Sequence, residues 1–134
     1  MAPTFDHEKL KVYQTAIGFV KWVQQTLEKV PKGHAVYKQL DRSSTSIPLN
    51  IAEGNGKFTS RDRCRYFDIA RGSALESAAA LDVLVARAIV KSDQIVPGKE
   101  LLKNIVSMLV GLIKSHSTER VYEAQAVYGD QDST

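Results

Sequence analysis

Five cations fall within one short stretch of this chain: Lys57, Arg61, Arg63, Arg65 and Arg71. Asp62 and Asp68 lie among them, so the stretch carries a net +3, equal to the formal excess of all 134 residues. Phe58, Tyr66 and Phe67 are interleaved with the cations. Guanidinium and ammonium groups hold phosphate oxygens, and aromatic rings stack on bases. These residue types in this order therefore suit an RNA- or DNA-binding surface. The plainer alternative is a solvated helix start with two aromatics packed inward. Arginine at a helix N-terminus opposes the macrodipole, and that unfavourable placement weighs toward an interaction role. The overall sequence pI near 9.0 decides little, because the excess is mild for a domain dedicated to nucleic acid.

A second group is polar where a packed helix should be apolar. Arg42, Ser46, Asn50 and Glu53 are spaced four, four and three, and so share one helical face. Downstream, Ser73, Glu76 and Arg87 fall along one stripe, with Arg71 to its side. In this arrangement Arg42 and Arg71 can pair with Glu53 and Glu76 across two helices. A buried polar network is tolerated only when its members satisfy one another. The group reads either as a structural network that fixes helix register or as a ligand or nucleic-acid site.

Catalytic and metal chemistry find little to build on. His7, His34 and His116 lie in three separate regions, without an i, i+4 pair or a nearby cysteine pair, so no metal site and no cofactor are expected. Cys64 is the only cysteine, which precludes an internal disulfide and fits a reducing compartment. Its neighbours Arg63 and Arg65 are of the kind that lower a thiol pKa, but a lone helical cysteine is more often a packing residue. Gly54-x-Gly56-Lys57 is not a phosphate loop. That motif needs a preceding strand, a glycine five residues before the Gly-Lys pair and Ser or Thr after the lysine, and here Ile51 and Phe58 stand at those positions. No catalytic residues are assigned, and the expectation is a protein that is not an enzyme. No apolar run approaches the roughly 20 residues that span a bilayer. The first residues lack the basic stretch and apolar core of a signal peptide. A cytoplasmic location without a membrane partner is expected.

The elements that must carry these groups are helical. Tyr13, Ala16, Ile17, Val20, Val23, Leu27 and Val30 recur at steps of three and four, with Asp6 placed to cap the start and Pro31-Lys32-Gly33 to end the helix. A second helix is expected from about Tyr37 to Asn55, with Leu40, Ser44, Ile47 and Ile51 inward and a kink at Pro48, eased by the preceding Ser/Thr run. Thr59-x-x-Asp62 resembles a capping box and opens a third helix that is expected to reach Val90, with small residues in its middle. Pro97 suits the opening of a fourth, whose stripe is Leu101, Leu102, Ile105, Met108, Leu109, Leu112 and Ile113. No strand pattern competes. The fold class is all-α: an antiparallel up-down-up-down four-helix bundle over residues 1–118, followed by an acidic, mobile tail at 119–134.

Two segments carry a family resemblance. Gln39-Leu40-x-Arg42-Ser43-x-x-Ser46-Ile47-Pro48-x-Asn50-Ile51-Ala52-Glu53-Gly54 resembles the signature of the four-helix-bundle family named for the 23S rRNA intervening sequence, and Ile69-Ala70-Arg71-Gly72-Ser73-x-x-Glu76 resembles its second signature. Phe5 and Leu10-Lys11-Val12-Tyr13 also fit. The resemblance implies an antiparallel bundle assembled as a ring-shaped homopentamer, without an active site. A related branch, the accessory variability determinant proteins, partners the reverse transcriptase of diversity-generating retroelements and binds nucleic acid through a basic surface. The expected function is therefore a homo-oligomer that binds nucleic acid or acts as a scaffold, with an accessory role beside a reverse transcriptase as the alternative. The mild charge and the acidic tail depart from that branch.

Overall fold

The computed structural model describes residues 2–132, with side chains described through residue 117. It contains four α-helices: α1 (Lys11–Leu27), α2 (Ala35–Asn55), α3 (Ser60–Ala86) and α4 (Val96–Asp132). Single 3-10 turns precede α1 (Asp6–Lys9) and α4 (Ser92–Ile95), and no strand occurs among the described residues. Helices α1 and α3 each pack against both α2 and α4, so four apolar stripes close around one core. Phe19, Phe67, Leu40, Ile47, Ile51, Leu81, Leu84, Ile105 and Leu109 fill its centre, each fully buried.

The first helix is rotated slightly from the expected orientation, with Ala16, Val23 and Leu27 of the predicted stripe buried as expected. Val12, Ala16, Phe19, Val23 and Leu27 are buried, whereas Ile17 is 44% exposed and Tyr13 and Val20 are only half-buried. Both sets obey a spacing of three and four, so α1 is apolar on two adjoining faces. Packing selects the one that holds Phe19, whose ring removes more apolar area from water than Ile17 does. Asp6 does not cap α1. It accepts a 2.9 Å hydrogen bond from Asn55 Nδ2, tying the N-terminal turn to the end of α2. The carboxylate of Glu8 accepts from the backbone N–H groups of Phe5, at 2.6 Å, and Thr4, while α1 starts after an extended Leu10 that offers no side-chain cap.

Helix α2 begins two residues before the expected Tyr37, because His34 Nδ1 accepts the Val36 N–H at 3.1 Å and serves as the N-cap. The expected inward residues Leu40, Ser44, Ile47 and Ile51 are all buried. Pro48 lies inside α2, which continues to Asn55. Helix α3 stops at Ala86 rather than Val90. Ala88 takes φ 59° and the Ile89 N–H reaches back to the Leu84 carbonyl at 3.0 Å, a left-handed exit of the kind that ends many helices. This reversal turns Val90 back into the core. On α4, Leu102, Ile105 and Leu109 are buried and Leu101, Met108, Leu112 and Ile113 pack around them, as the pattern implied. Gly98 lies directly on the Trp22 ring: a Cβ there would stand 2.2 Å from a ring carbon. The segment 119–134, expected to be a mobile tail, lies outside the residues whose side chains are described.

Candidate nucleic-acid interface

The joint between α2 and α3 is built by close approach. Gly54 has room for no side chain, since a Cβ would sit 2.9 Å from Phe67 Cε1 and 3.0 Å from Tyr66 Cβ. The chain then reverses through Gly56, with its N–H on the Ala52 and Glu53 carbonyls, and Lys57, with its N–H on the Gly54 carbonyl at 3.2 Å. Thr59 Oγ1 accepts the Asp62 N–H at 3.1 Å and opens α3, as the Thr-x-x-Asp spacing led one to expect.

This joint separates the five cations. Arg61 and Arg65 are one turn apart, both exposed, and border a groove of about 650 Å³ between α3 and α4 with Asp62 and Asp68 beside them. Lys57 Nζ stands 5.0 Å from the Tyr66 ring centroid and the Arg65 guanidinium 6.0 Å from the same ring, both within cation–π range. Arg63 lies about 200° around the helix from Arg61. Its Nε donates to the Lys57 carbonyl at 2.7 Å, so it braces the joint. Arg71 pairs with Asp68 on its own helix at 3.1 Å. Phe58 is fully exposed, while Phe67 is buried in the core. Cys64 is buried and its thiol faces the Ile113 carbonyl of α4 at 3.6 Å, a packing contact.

The polar face of α2 meets α3 along a seam. Ser46 and Ser73 share a hydrogen bond of 2.8 Å, and Asn50 Nδ2 donates to both the Ser46 carbonyl and its Oγ at 2.9 Å. Arg42 bridges to Glu76 and also donates to Gln39 Oε1 at 3.2 Å. Glu53 is exposed and makes no ion pair among the described residues, and Arg71 turns to Asp68, so the expected Glu53 pairing does not form. Arg87 is exposed past the end of α3. The most deeply buried seam contact went unpredicted: Ser43 and Ser77, both completely buried, bond at 2.7 Å. The signal was present, because Ser43 is three residues before Ser46 and Ser77 four after Ser73. Hydroxyls this short bond across two helices only where the backbones approach toward the low end of the usual ~8–10 Å interaxial range. The small inward residues Ala70, Ala74 and Ala80 of α3 suit that approach.

Among the described residues, no group of three or more His, Cys, Asp or Glu is placed to hold a metal ion. No described helix is long and apolar enough to cross a membrane.

The architecture defines an all-helical four-helix bundle with a polar α2–α3 seam and a basic joint at one end of it. The chain belongs to the 23S rRNA-intervening sequence protein family, whose model matches residues 8–111. A crystal structure of a protein of unknown function from the S23 ribosomal protein family of Bacteroides thetaiotaomicron has the same fold. Its TM-score is 0.72 at 24% identity, over 77% of this chain and 98% of that one. No curated protein matches the sequence.

Proposed function

We propose that the protein is a non-catalytic, self-assembling bundle, a homopentamer by family resemblance, that binds nucleic acid at the joint between α2 and α3. The observation that carries this reading is the trio Lys57, Arg61 and Arg65. These cations make no ion pair among the described residues, and Lys57 and Arg65 are both held near the Tyr66 ring. A carboxylate paired with these cations would have to be displaced by phosphate; the nearest unpaired carboxylates in sequence, Glu53 and Asp62, form no ion pair with the trio. The family's description, which links it to an intervening sequence of 23S rRNA, favours RNA as the polyanion.

Self-assembly is supported by the outward side of α3. Ile69, Leu75 and Val83 are 42%, 49% and 37% exposed, with the small residues Gly72 and Ala79 between them and Ala86 just beyond, and Leu49 of α2 is 61% exposed. Three carboxylates near this face are already paired within the chain: Glu76 with Arg42, Asp68 with Arg71, Asp82 with Lys99. An apolar stretch whose carboxylates are paired, bounded by Arg65 and Arg87 at its ends, suits a second copy of itself. Partners on the α2–α3 seam run in opposite order, Ser43 with Ser77, Ser46 with Ser73 and Gly54 beside Phe67, which supports an antiparallel course for this pair.

The test is RNA binding across a salt series. Each lost phosphate contact flattens the log–log slope by about 0.7 on a single strand, so Arg61→Ala with Arg65→Ala should flatten it by roughly 1.4. Absence of binding at low salt removes the nucleic-acid reading, and an unchanged slope moves the contact elsewhere.

A further inference from the structure

We propose that Phe58 is a stacking platform that makes this interface select unpaired bases, so that its ligand is a single-stranded nucleic acid; the inference rests on the nucleic-acid reading above. Phe58 is 100% exposed, more than any other large apolar side chain described. An apolar residue just before an N-cap ordinarily packs against the fourth residue of the helix, the hydrophobic staple. Thr59 is the N-cap here, so that fourth residue is Arg63, and its guanidinium reaches back to the Lys57 carbonyl instead. The usual local role of Phe58 is therefore missing, and its ring is left in water.

Its backbone is nevertheless held on both sides. The Lys57 N–H bonds to the Gly54 carbonyl at 3.2 Å, the Lys57 carbonyl receives Arg63 at 2.7 Å, and Thr59 is pinned as the cap by Asp62 at 3.1 Å. A ring presented from a clamped turn loses little freedom on stacking. Lys57 precedes it directly and Arg61 follows by three residues, so a base on the ring has cations beside it for the flanking phosphates. That is charge complementarity to a polyanion and not to an apolar partner. A duplex keeps its base faces stacked inside and can offer the ring nothing, whereas every unpaired base has a free face.

The experiment is fluorescence anisotropy with the full chain, a short oligouridylate and an RNA duplex of equal length. Phe58→Ala should weaken single-strand binding by roughly 5- to 150-fold, the usual loss for one base–aromatic stack, with the salt slope and duplex binding unchanged. Phe58→Trp should retain single-strand affinity and show tryptophan quenching on binding. The proposal is overturned if Phe58→Ala binds the single strand like the wild type or loses both ligands equally. A change in particle mass by light scattering overturns it too, because it would assign the ring to contact between copies. If the wild type binds neither RNA, the nucleic-acid reading itself falls. If it binds both equally but still weakens with Arg61→Ala and Arg65→Ala, only the role of Phe58 is lost.

Discussion

Replacing Gly54 by alanine should destabilise the protein, although helix propensity alone predicts the reverse. Glycine inside a helix is about 1 kcal/mol worse than alanine, so an unobstructed substitution should stabilise. At Gly54 the new methyl would meet Phe67 Cε1 at 2.9 Å, Phe67 Cδ1 at 3.0 Å and Tyr66 Cβ at 3.0 Å. Neither neighbour yields easily. Phe67 is 1% exposed within the core, and a Cβ moves only with its backbone. Relief would require α3 to withdraw from α2, yet the Ser43–Ser77 and Ser46–Ser73 bonds of 2.7 and 2.8 Å tie the two together. Overpacking of this kind costs about 1–3 kcal/mol, and against a propensity gain of about 1 kcal/mol a cost at the upper end, where neither neighbour can yield, leaves a net loss of up to about 2 kcal/mol. For a chain of this size that is a fall in Tm of up to roughly 10 °C. Gly18 is the control. It lies inside α1, where a methyl added to its Cα would have nothing within 4 Å, and Gly18→Ala should gain about 0.5–1 kcal/mol. Thermal unfolding by circular dichroism, at one protein concentration because assembly shifts apparent stability, reads both variants. A Gly54→Ala Tm at or above wild type, or equal losses at positions 54 and 18, would refute the reasoning.

Ser43→Ala alone should cost about 1–2 kcal/mol by stranding the buried Ser77 hydroxyl, while the double change with Ser77→Ala should cost clearly less than the two single losses together; additivity in a denaturant-unfolding cycle would contradict the pairing. Ala88→Gly should stabilise by about 1 kcal/mol, because φ 59° suits glycine better than alanine, and an unchanged denaturation midpoint would count against it. Glu8 has its carboxyl pKa held below the ordinary range, first by the Phe5 N–H and then by the Thr4 N–H. The folded N-terminal turn is therefore favoured above the usual carboxylate range, and that contribution is lost as pH falls through the lowered pKa. An NMR titration should place the Glu8 midpoint below that of an ordinary glutamate, and Glu8→Gln should remove the pH dependence of amide protection in this turn, measured relative to the intrinsic exchange rate at each pH. Pro48→Ala should restore a donor to the Ser44 carbonyl. If the kink expected at Pro48 from the sequence shapes the outward face, light scattering should show weaker assembly, and unchanged assembly would remove that role.

Four helices were legible because each joint is punctuated and each segment keeps a period near 3.6. The choice among faces was less legible. Helix α1 has two apolar faces at the same spacing, and only three-dimensional packing shows that the one with Phe19 is buried. The end of α3 was hidden for another reason: Ala88 adopts a left-handed conformation without the glycine that usually announces it. At the candidate interface, closeness in sequence was a poor guide to closeness in space. Arg61 and Arg65, four apart, share a face, while Arg63 points the other way and Arg71 finds Asp68 three residues before it. Both facts follow from about 100° of turn per residue and were available from the spacing.

The segments that carry the family resemblance lead to a separate conclusion. Arg42, Ser43 and Ser46 on one side bond to Glu76, Ser77 and Ser73 on the other across the seam, and Asn50 bonds back to Ser46 within α2. Side chains engaged in this way hold two helices at one distance and one register, and have few donors or acceptors left for a ligand. The seam also explains why Gly54 and Phe67 can touch, and hence why the chain turns as sharply as it does at residues 56–59. On this reading the recognisable motifs build the support, and the working surface is what that support pushes into solvent: Lys57 and Phe58 before α3, and Arg61 and Arg65 along its first turns.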